Sequence, residues 1–132
     1  MPDLSVVIPV HNEEDNIRLL IDEVRQSLDN VLDYELIYVN DGSSDSTLNI
    51  LQEYSAGFPL LHVISHETGV GQSTAIRTGI NHARSAVIAT LDGDGQNDPA
   101  DIPALYRALI EQAEFGVVLV NGYRKQRKDT FI

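Results

Sequence analysis

Short apolar runs alternate with segments of helical periodicity along the whole chain, and this alternation constrains the fold more than any other feature. The runs are rich in β-branched residues and predict strands at residues 4–10, 34–39, 60–65, 86–91 and 115–120. Apolar residues spaced every three or four positions predict helices at 13–29, 47–54 and 72–84, and a fourth helix that starts at Asp98-Pro99. Apolar strands separated by helices indicate a three-layer α/β/α fold with a mostly parallel sheet.

Two helix starts carry recognisable capping signals. Asn12 is a residue type that caps helices, and the acidic residues Glu13, Glu14 and Asp15 would follow in the first turn. Asp98 precedes Pro99, and proline is tolerated in a first turn because its missing amide has no partner there. We therefore expect helices to begin at 13 and just after 98.

The polar residues of the chain collect at the predicted carboxyl ends of the strands. Ligands of open parallel sheets bind beyond these ends. Four segments lie there: residues 11–13 after the first strand, 41–45 after the second, 92–96 after the fourth and 123–124 after the fifth. We expect these segments to form one binding crevice.

Asp92 and Asp94 are the strongest indication of a metal-binding site in the sequence. Alternate residues of an extended segment share a face, so both carboxylates can point into the crevice. Close carboxylates repel each other unless a cation or proton lies between them, and hard oxygen ligands suit Mg²⁺ or Mn²⁺. Gln96 adds a neutral oxygen. The alternative is a plain acidic turn followed by a helix cap.

Other site types fit the sequence less well. A calcium-binding EF-hand needs Gly and Glu where this chain has Asn97 and Pro103. The glycines at 69 and 71 match only part of a dinucleotide fingerprint, which argues against an NAD-dependent oxidoreductase. His62 lies on the predicted strand at 60–65 and His66 directly follows that strand, so extended chain would hold the two too far apart to share a zinc ion.

The charge balance limits the partners. The 132 residues carry a net charge of -11, and four of the nine Lys and Arg residues lie within positions 124–128. The acidic remainder would repel nucleic acid, because nucleic-acid binding depends on basic contacts to phosphates. No cysteine is present, which excludes disulfides and thiolate zinc sites and is typical of a cytoplasmic protein.

Four ordered blocks give the chain a family resemblance. Together they resemble family 2 glycosyltransferases with the GT-A fold, a Rossmann-like architecture, and within them the dolichyl-phosphate mannosyltransferase-like group. The blocks are VIPVHNE at 7–13, VNDGSSDST at 39–47, LDGDGQ at 91–96 and GYR at 122–124.

The resemblance implies a role for each matching residue. Pro9, His11 and Glu13 would contact the nucleotide, and Val39 and Asp41 would line the base and ribose pocket. Asp92 with Gly93 would hold the nucleotide or donor sugar. Asp94 and Gln96 would bind Mg²⁺ or Mn²⁺, and Arg124 would bind the diphosphate, so that Asp94 and Arg124 would be the catalytic residues. The chain departs from the family pattern at His11, where Tyr is common, and at Asn40, which replaces an Asp.

The function implied by the resemblance is transfer of a glycosyl group from a nucleoside-diphosphate sugar. In the related group the acceptor is a polyprenyl phosphate. We therefore expect the full-length protein to act at the cytosolic face of a membrane. Residues 1–132 would form a single nucleotide-sugar-binding domain that is truncated at its carboxyl end, before any acceptor-binding or membrane region. The alternative is a non-catalytic nucleotide-binding module or an inactive fragment.

Overall fold

The computed structural model describes residues 1–113, in which strands and helices alternate. The strands are β1 (Leu4–Val10), β2 (Tyr34–Asp41), β3 (Leu61–His66) and β4 (Ile88–Thr90). The helices are α1 (Ile17–Leu28), α2 (Thr47–Gly57), α3 (Gln72–His82) and α4 (Ile102–Ala113), the last preceded by a 3-10 turn at Pro99–Asp101. The predicted strand at 115–120 and Arg124 lie outside the described residues.

The four strands form one parallel sheet in the order β3-β2-β1-β4. The chain adds β2 and β3 on one side of β1, and α3 then crosses back so that β4 pairs with the other side. The order therefore reverses between β1 and β4. In open parallel sheets a crevice forms at such a reversal, beyond the carboxyl ends of the strands.

The sheet is covered on both faces, as the apolar strands predict. Leu4, Val6 and Ile8 of β1 belong to a large core cluster with buried residues of α1, α2 and α4. Val7 points the other way, into a smaller cluster with Ala75 of α3. Successive strand residues face opposite sides of a sheet, so a strand apolar throughout needs a layer on each side. The predicted three-layer α/β/α fold is confirmed.

The predicted start of the first helix is wrong by four residues, because α1 begins at Ile17 instead of residue 13. Asn12 does not cap it: its backbone is left-handed with φ 53°, and its Oδ1 accepts the amides of Ser44 and Asp45 at 2.8 and 3.3 Å. The amide of Glu13 donates to Thr47 Oγ1 at 3.0 Å. Contacts to a distant loop have replaced the expected first helical turn.

The predicted start of the fourth helix, just after Asp98, is confirmed. Asp98 Oδ1 accepts the amide of Ala100 at 3.1 Å, and Pro99 opens the 3-10 turn that leads into α4. Buried Ile102 then anchors α4 in the large core cluster. Of the helices described, none is both long enough and apolar enough to cross a membrane.

Candidate functional site

A cleft of about 270 Å³ opens at the carboxyl ends of β1 and β4, where the strand order reverses. It is lined by Pro9, Val10, His11, Glu13, Asp41, Gln72, Ala75, Asp92, Gly93 and Asp94. The lining comes from four separate chain segments, which the parallel sheet brings to one edge. Four of the ten residues are carboxylates, so the cleft favours a cation or a ligand that carries one.

Most of the predicted site residues within the described part of the chain line this cleft, but two of them do not. Val39 is fully buried in the small core cluster under α3, and its side chain is not part of the cleft lining. Gln96 is half-buried just beyond the lining, where its amide contacts Asp94. Arg124 lies outside the described residues. The nucleotide, metal and catalytic roles of the predicted residues remain predictions.

The Asp92–Asp94 turn is tied to the end of β1. The amide of Leu91 donates to the carbonyl of Val7 at 3.1 Å, and the amide of Asp92 donates to Asn97 Oδ1 at 2.8 Å. A methyl group on Gly93 would lie 2.5 Å from Val10 Cγ1. The glycine therefore lets the turn pack directly on β1, which brings both carboxylates to the cleft.

The donor set of the turn fits a magnesium-type ion. Residues 1–113 contain no group of three His, Cys, Asp or Glu side chains that could enclose a metal by themselves. Mg²⁺ is usually held by only one or two carboxylates, and substrate phosphates and water complete its shell. Asp92 and Asp94 supply two such oxygen donors in an open cleft. A metal bound here would therefore need the substrate as a further ligand.

Asp41 is held by several donors. Its Oδ1 accepts His66 Nδ1 at 2.9 Å, and its carboxylate also accepts the amides of Val70 and Gly71. Burial alone would raise the pKa of Asp41, but these hydrogen bonds outweigh burial and hold the pKa below its ordinary value. Asp41 is thus ionised and fixes the loop before α3 against the end of β2.

The loop that carries His11 and Glu13 is hydrogen-bonded to the end of β2 and to the loop after it. His11 Nδ1 lies 2.7 Å from the carbonyl of Asp41, so this nitrogen carries the ring proton and donates it. The amide of Asn12 donates to Ser43 Oγ at 2.9 Å, and the side chain of Glu13 accepts Asn16 Nδ2 at 3.2 Å. These contacts set the positions of two cleft residues.

Gln72 is a cleft residue that the sequence analysis missed. Its Nε2 donates to Asp92 Oδ1 at 3.2 Å, which joins the start of α3 to the acidic turn. The sequence signal that could have identified Gln72 was its position directly after the glycine loop that follows β3.

The two histidines considered as zinc ligands have other partners. His66 contacts Asp41, and His62 lies 3.6 Å from Glu35.

Comparison with known proteins decides the family. The model of glycosyl transferase family 2 matches residues 5–132. The chain belongs to glycosyl transferase family 2. The resemblance carried by the four sequence blocks is thereby confirmed, and the match includes every segment that lines the cleft.

Relatives of this family 2 domain include polyprenyl-phosphate sugar transferases. Dodecaprenyl-phosphate galacturonate synthase of Rhizobium johnstonii is 40% identical over 129 residues, which cover 96% of this chain and 37% of that protein. Undecaprenyl-phosphate 4-deoxy-4-formamido-L-arabinose transferase of Proteus mirabilis is 39% identical over 131 residues, which cover 97% and 39%. The chain spans less than two fifths of the length of these curated relatives.

Solved structures of glycosyltransferases share the fold. The mannosyltransferase PcManGT from Pyrobaculum calidifontis, solved with GDP-Man and Mn²⁺, aligns with a TM-score of 0.72 and 20% identity over 82% of this chain and 32% of that one. TarS from S. aureus, solved with UDP-GlcNAc, aligns with a TM-score of 0.72 and 22% identity over 84% and 32%. The GT-A type of the fold is confirmed by these likenesses.

Proposed function

We propose that this family 2 domain binds a nucleoside-diphosphate sugar in the cleft and, in the whole protein, transfers the sugar to a polyprenyl phosphate. The observation that carries the proposal is the acidic cleft at the reversal of the strand order, in which three of the four lining segments belong to family blocks. The names of the relatives support the lipid-phosphate acceptor, and the complexes of PcManGT and TarS support a nucleotide-sugar donor.

The charge of the cleft supports a requirement for Mg²⁺ or Mn²⁺. Four carboxylates line the cleft, so a bare diphosphate would meet like charge. In the proposal Asp94, with the oxygen of Gln96, holds the metal, and Asp92 with Gly93 faces the donor. The metal would neutralise charge that develops on the diphosphate as it leaves. Electrostatic contacts of this kind typically lower a barrier by roughly 3–4 kcal/mol.

The other cleft residues would orient the nucleotide. His11 and Glu13 stand on the wall formed by the end of β1, and Asp41 closes the side towards β2. Arg124, which the family pattern assigns to the diphosphate, would supply a cation by bidentate hydrogen bonding. A phosphate acceptor is already ionised at neutral pH, so the proposed transfer needs no strong general base.

Titration calorimetry of the chain with UDP-sugars and GDP-sugars, with and without Mn²⁺, tests the proposal. We expect binding only with the metal, and loss of that binding in Asp94→Asn. Asparagine keeps an oxygen that can accept the amide of Gln96, now 3.0 Å from Asp94 Oδ1, so the variant removes charge with little change in the turn. Asp22→Asn, on the exposed face of α1, is the control of equal charge. Metal-independent binding, or equal binding by Asp94→Asn, would overturn the proposal.

The acceptor and the place of action need the whole protein. We propose that it works at the cytosolic face of a membrane, where a polyprenyl phosphate is available. The alternative is that residues 1–132 act only as a nucleotide-binding module, an idea favoured by the small share of the relatives that the chain spans. Product assays that compare this chain with the whole protein separate the two, since turnover by the chain alone contradicts the module.

A further inference from the structure

Asn12 stands between two residues of the cleft without lining the cleft itself. Its chain neighbours His11 and Glu13 both belong to the lining. Asn12 is exposed, and its backbone is left-handed with φ 53°. A left-handed conformation is costly for a residue with a side chain, although asparagine adopts it more readily than most residues do. The contacts that Asn12 makes must offset this cost.

The side chain of Asn12 joins the loop after β1 to the loop after β2. Its Oδ1 accepts the amides of Ser44 and Asp45 at 2.8 and 3.3 Å, and its own backbone amide donates to Ser43 Oγ at 2.9 Å. Because two backbone amides donate to Oδ1, the orientation of the carboxamide is fixed and Nδ2 points the opposite way. There Nδ2 lies 3.3 Å from His11 Nε2.

His11 is the first cleft residue that depends on this arrangement. Its Nδ1 lies 2.7 Å from the carbonyl oxygen of Asp41, and its Nε2 is the nitrogen beside Asn12. The ring is thus held at both edges, once by the end of β2 and once by Asn12. Removal of the Asn12 side chain would leave the contact with Asp41, about which the ring can swing.

Glu13 is the second cleft residue that depends on Asn12. Its amide donates to Thr47 Oγ1 at 3.0 Å, which is a further contact between the same two loops. Its side chain packs beside the acidic turn, since a methyl group on Gly93 would lie 3.6 Å from Glu13 Cγ. The position of Glu13 at the acidic turn therefore depends on how firmly the loop after β1 is held.

We propose that Asn12 is a positioning residue of the donor site. Its carboxamide holds the loop after β1 against the loop after β2, and this keeps His11 and Glu13 in place for the nucleotide sugar. The link to the donor rests on the proposed function, whereas the joining of the two loops does not. In this role Asn12 acts through its two neighbours and does not itself contact the substrate.

Asn30 provides a matched control. It has the same side chain, is exposed, and has a left-handed backbone with φ 63°. It lies between the end of α1 and the start of β2, at the edge of the sheet opposite the cleft. Glycine adopts left-handed conformations without steric cost, so Asn12→Gly and Asn30→Gly each remove one carboxamide and keep the backbone conformation. A difference between the two variants therefore reports the contacts of the Asn12 side chain.

NMR spectroscopy tests the joining of the loops without any ligand. The amide protons of Ser44 and Asp45 should exchange with water at least about fivefold faster in Asn12→Gly, because both lose their acceptor, and at an unchanged rate in Asn30→Gly. Asn12→Asp keeps an oxygen for these amides and should keep their exchange slow. The ring signals of His11 should shift in Asn12→Gly and not in Asn30→Gly. Equal exchange in Asn12→Gly and in the unchanged chain, or unchanged ring signals of His11, would overturn the proposal.

Calorimetry with Mn²⁺ and nucleotide sugar tests the positioning role, at a temperature at which circular dichroism shows every variant to be folded. Asn12→Gly should bind roughly tenfold more weakly than the unchanged chain, and Asn30→Gly should bind equally well. A purely structural role would lower the urea midpoint of Asn12→Gly and leave the affinity of the folded protein unchanged, and that result overturns the positioning role. If the unchanged chain binds no nucleotide sugar, the proposed function fails, and the exchange of Ser44 and Asp45 still decides whether Asn12 joins the loops.

Discussion

Replacing Gly42 with alanine should loosen the loop that Asp41 holds. Gly42 follows Asp41 directly and has a left-handed backbone with φ 68°. A methyl group at this position would lie 2.3 Å from the amide nitrogen of Gly69 and 2.5 Å from the carbonyl carbon of Thr68. Both are backbone atoms, which cannot rotate away as a side chain can. The loop at 68–71 must therefore move.

The cost has two parts. A left-handed conformation costs a residue with a side chain about 1–2 kcal/mol. Movement of the loop also lengthens the hydrogen bonds that the amides of Val70 and Gly71 donate to Asp41. A hydrogen bond to a charged group contributes about 1.5–3 kcal/mol. With one such bond lost, Gly42→Ala should lower the free energy of unfolding by roughly 2.5–5 kcal/mol. That is a large share of the stability of a small domain.

Variants at two other glycines distinguish the cost of the backbone conformation from the cost of moving the loop. Gly71 has φ 102° and ψ 156°, a region nearly confined to glycine, but apart from its own chain neighbours no atom of residues 1–113 lies within 4 Å of an added methyl group. Gly71→Ala should therefore cost about 1–3 kcal/mol from conformation alone. Gly57, at the end of α2, has no positive φ, and outside its own helix and chain neighbours no described atom lies within 4 Å of an added methyl group. Gly57→Ala should leave the stability unchanged or raise it by up to about 1 kcal/mol.

Urea unfolding followed by circular dichroism measures all three variants. With a slope of about 1–3 kcal/mol per molar urea, Gly42→Ala should lower the midpoint by at least about 0.8 M. Nucleotide-sugar binding should weaken in Gly42→Ala as well, because the loop leads into Gln72. The reasoning is refuted if Gly42→Ala is no more destabilising than Gly71→Ala, since the close approach of the loop to Gly42 would then carry no cost.

Two further predictions concern stability. Burial alone would raise the pKa of Glu35, but hydrogen bonds from the amide of Arg84, the hydroxyl of Ser5 and the guanidinium of Arg84 hold the pKa below its ordinary value. Glu35 therefore stabilises the fold above about pH 4.5 and loses this contribution as pH falls through its folded pKa, so Glu35→Gln should flatten the acid side of a plot of urea midpoint against pH. Asp98→Ala should lower the free energy of unfolding by about 1 kcal/mol, because it removes the hydrogen bond that Asp98 accepts from the amide of Ala100. Asp101→Ala, at an exposed position, is the control. Equal urea midpoints for the two variants would contradict a capping role of Asp98.

Local patterns in the sequence were sufficient for the layers of the fold. The runs at 4–10 and 34–39 became β1 and β2, and the helical spacing of Ile17, Leu20 and Val24 marked the buried face of α1. Burial of apolar surface depends on the periodicity of the residues, and periodicity can be read without knowing the partner. For the same reason Asp98 was recognised as a cap, since its acceptor and its donor lie two residues apart.

Two differences between the sequence-based expectations and the structure share another cause. Asn12 has the chemistry of a cap, yet its side chain binds the amides of Ser44 and Asp45, more than 30 residues away. Val39 lies in the second block of the family pattern, but it is fully buried beneath α3, opposite Gly79. In both cases the outcome depends on which distant segment lies alongside, and local spacing carries no information about that.

The sequence by itself determined that this chain would be a parallel α/β domain with its polar residues at the carboxyl ends of the strands. It also determined the family, because four short blocks in order are a one-dimensional signal. Only the tertiary structure decided which of those residues meet. It brought Gln72 to Asp92 and His66 to Asp41, because strand order and crossover place segments side by side that are distant in the chain. His66 shows the same effect, since its two hydrogen-bond partners, Asp41 and Thr78, lie on different elements.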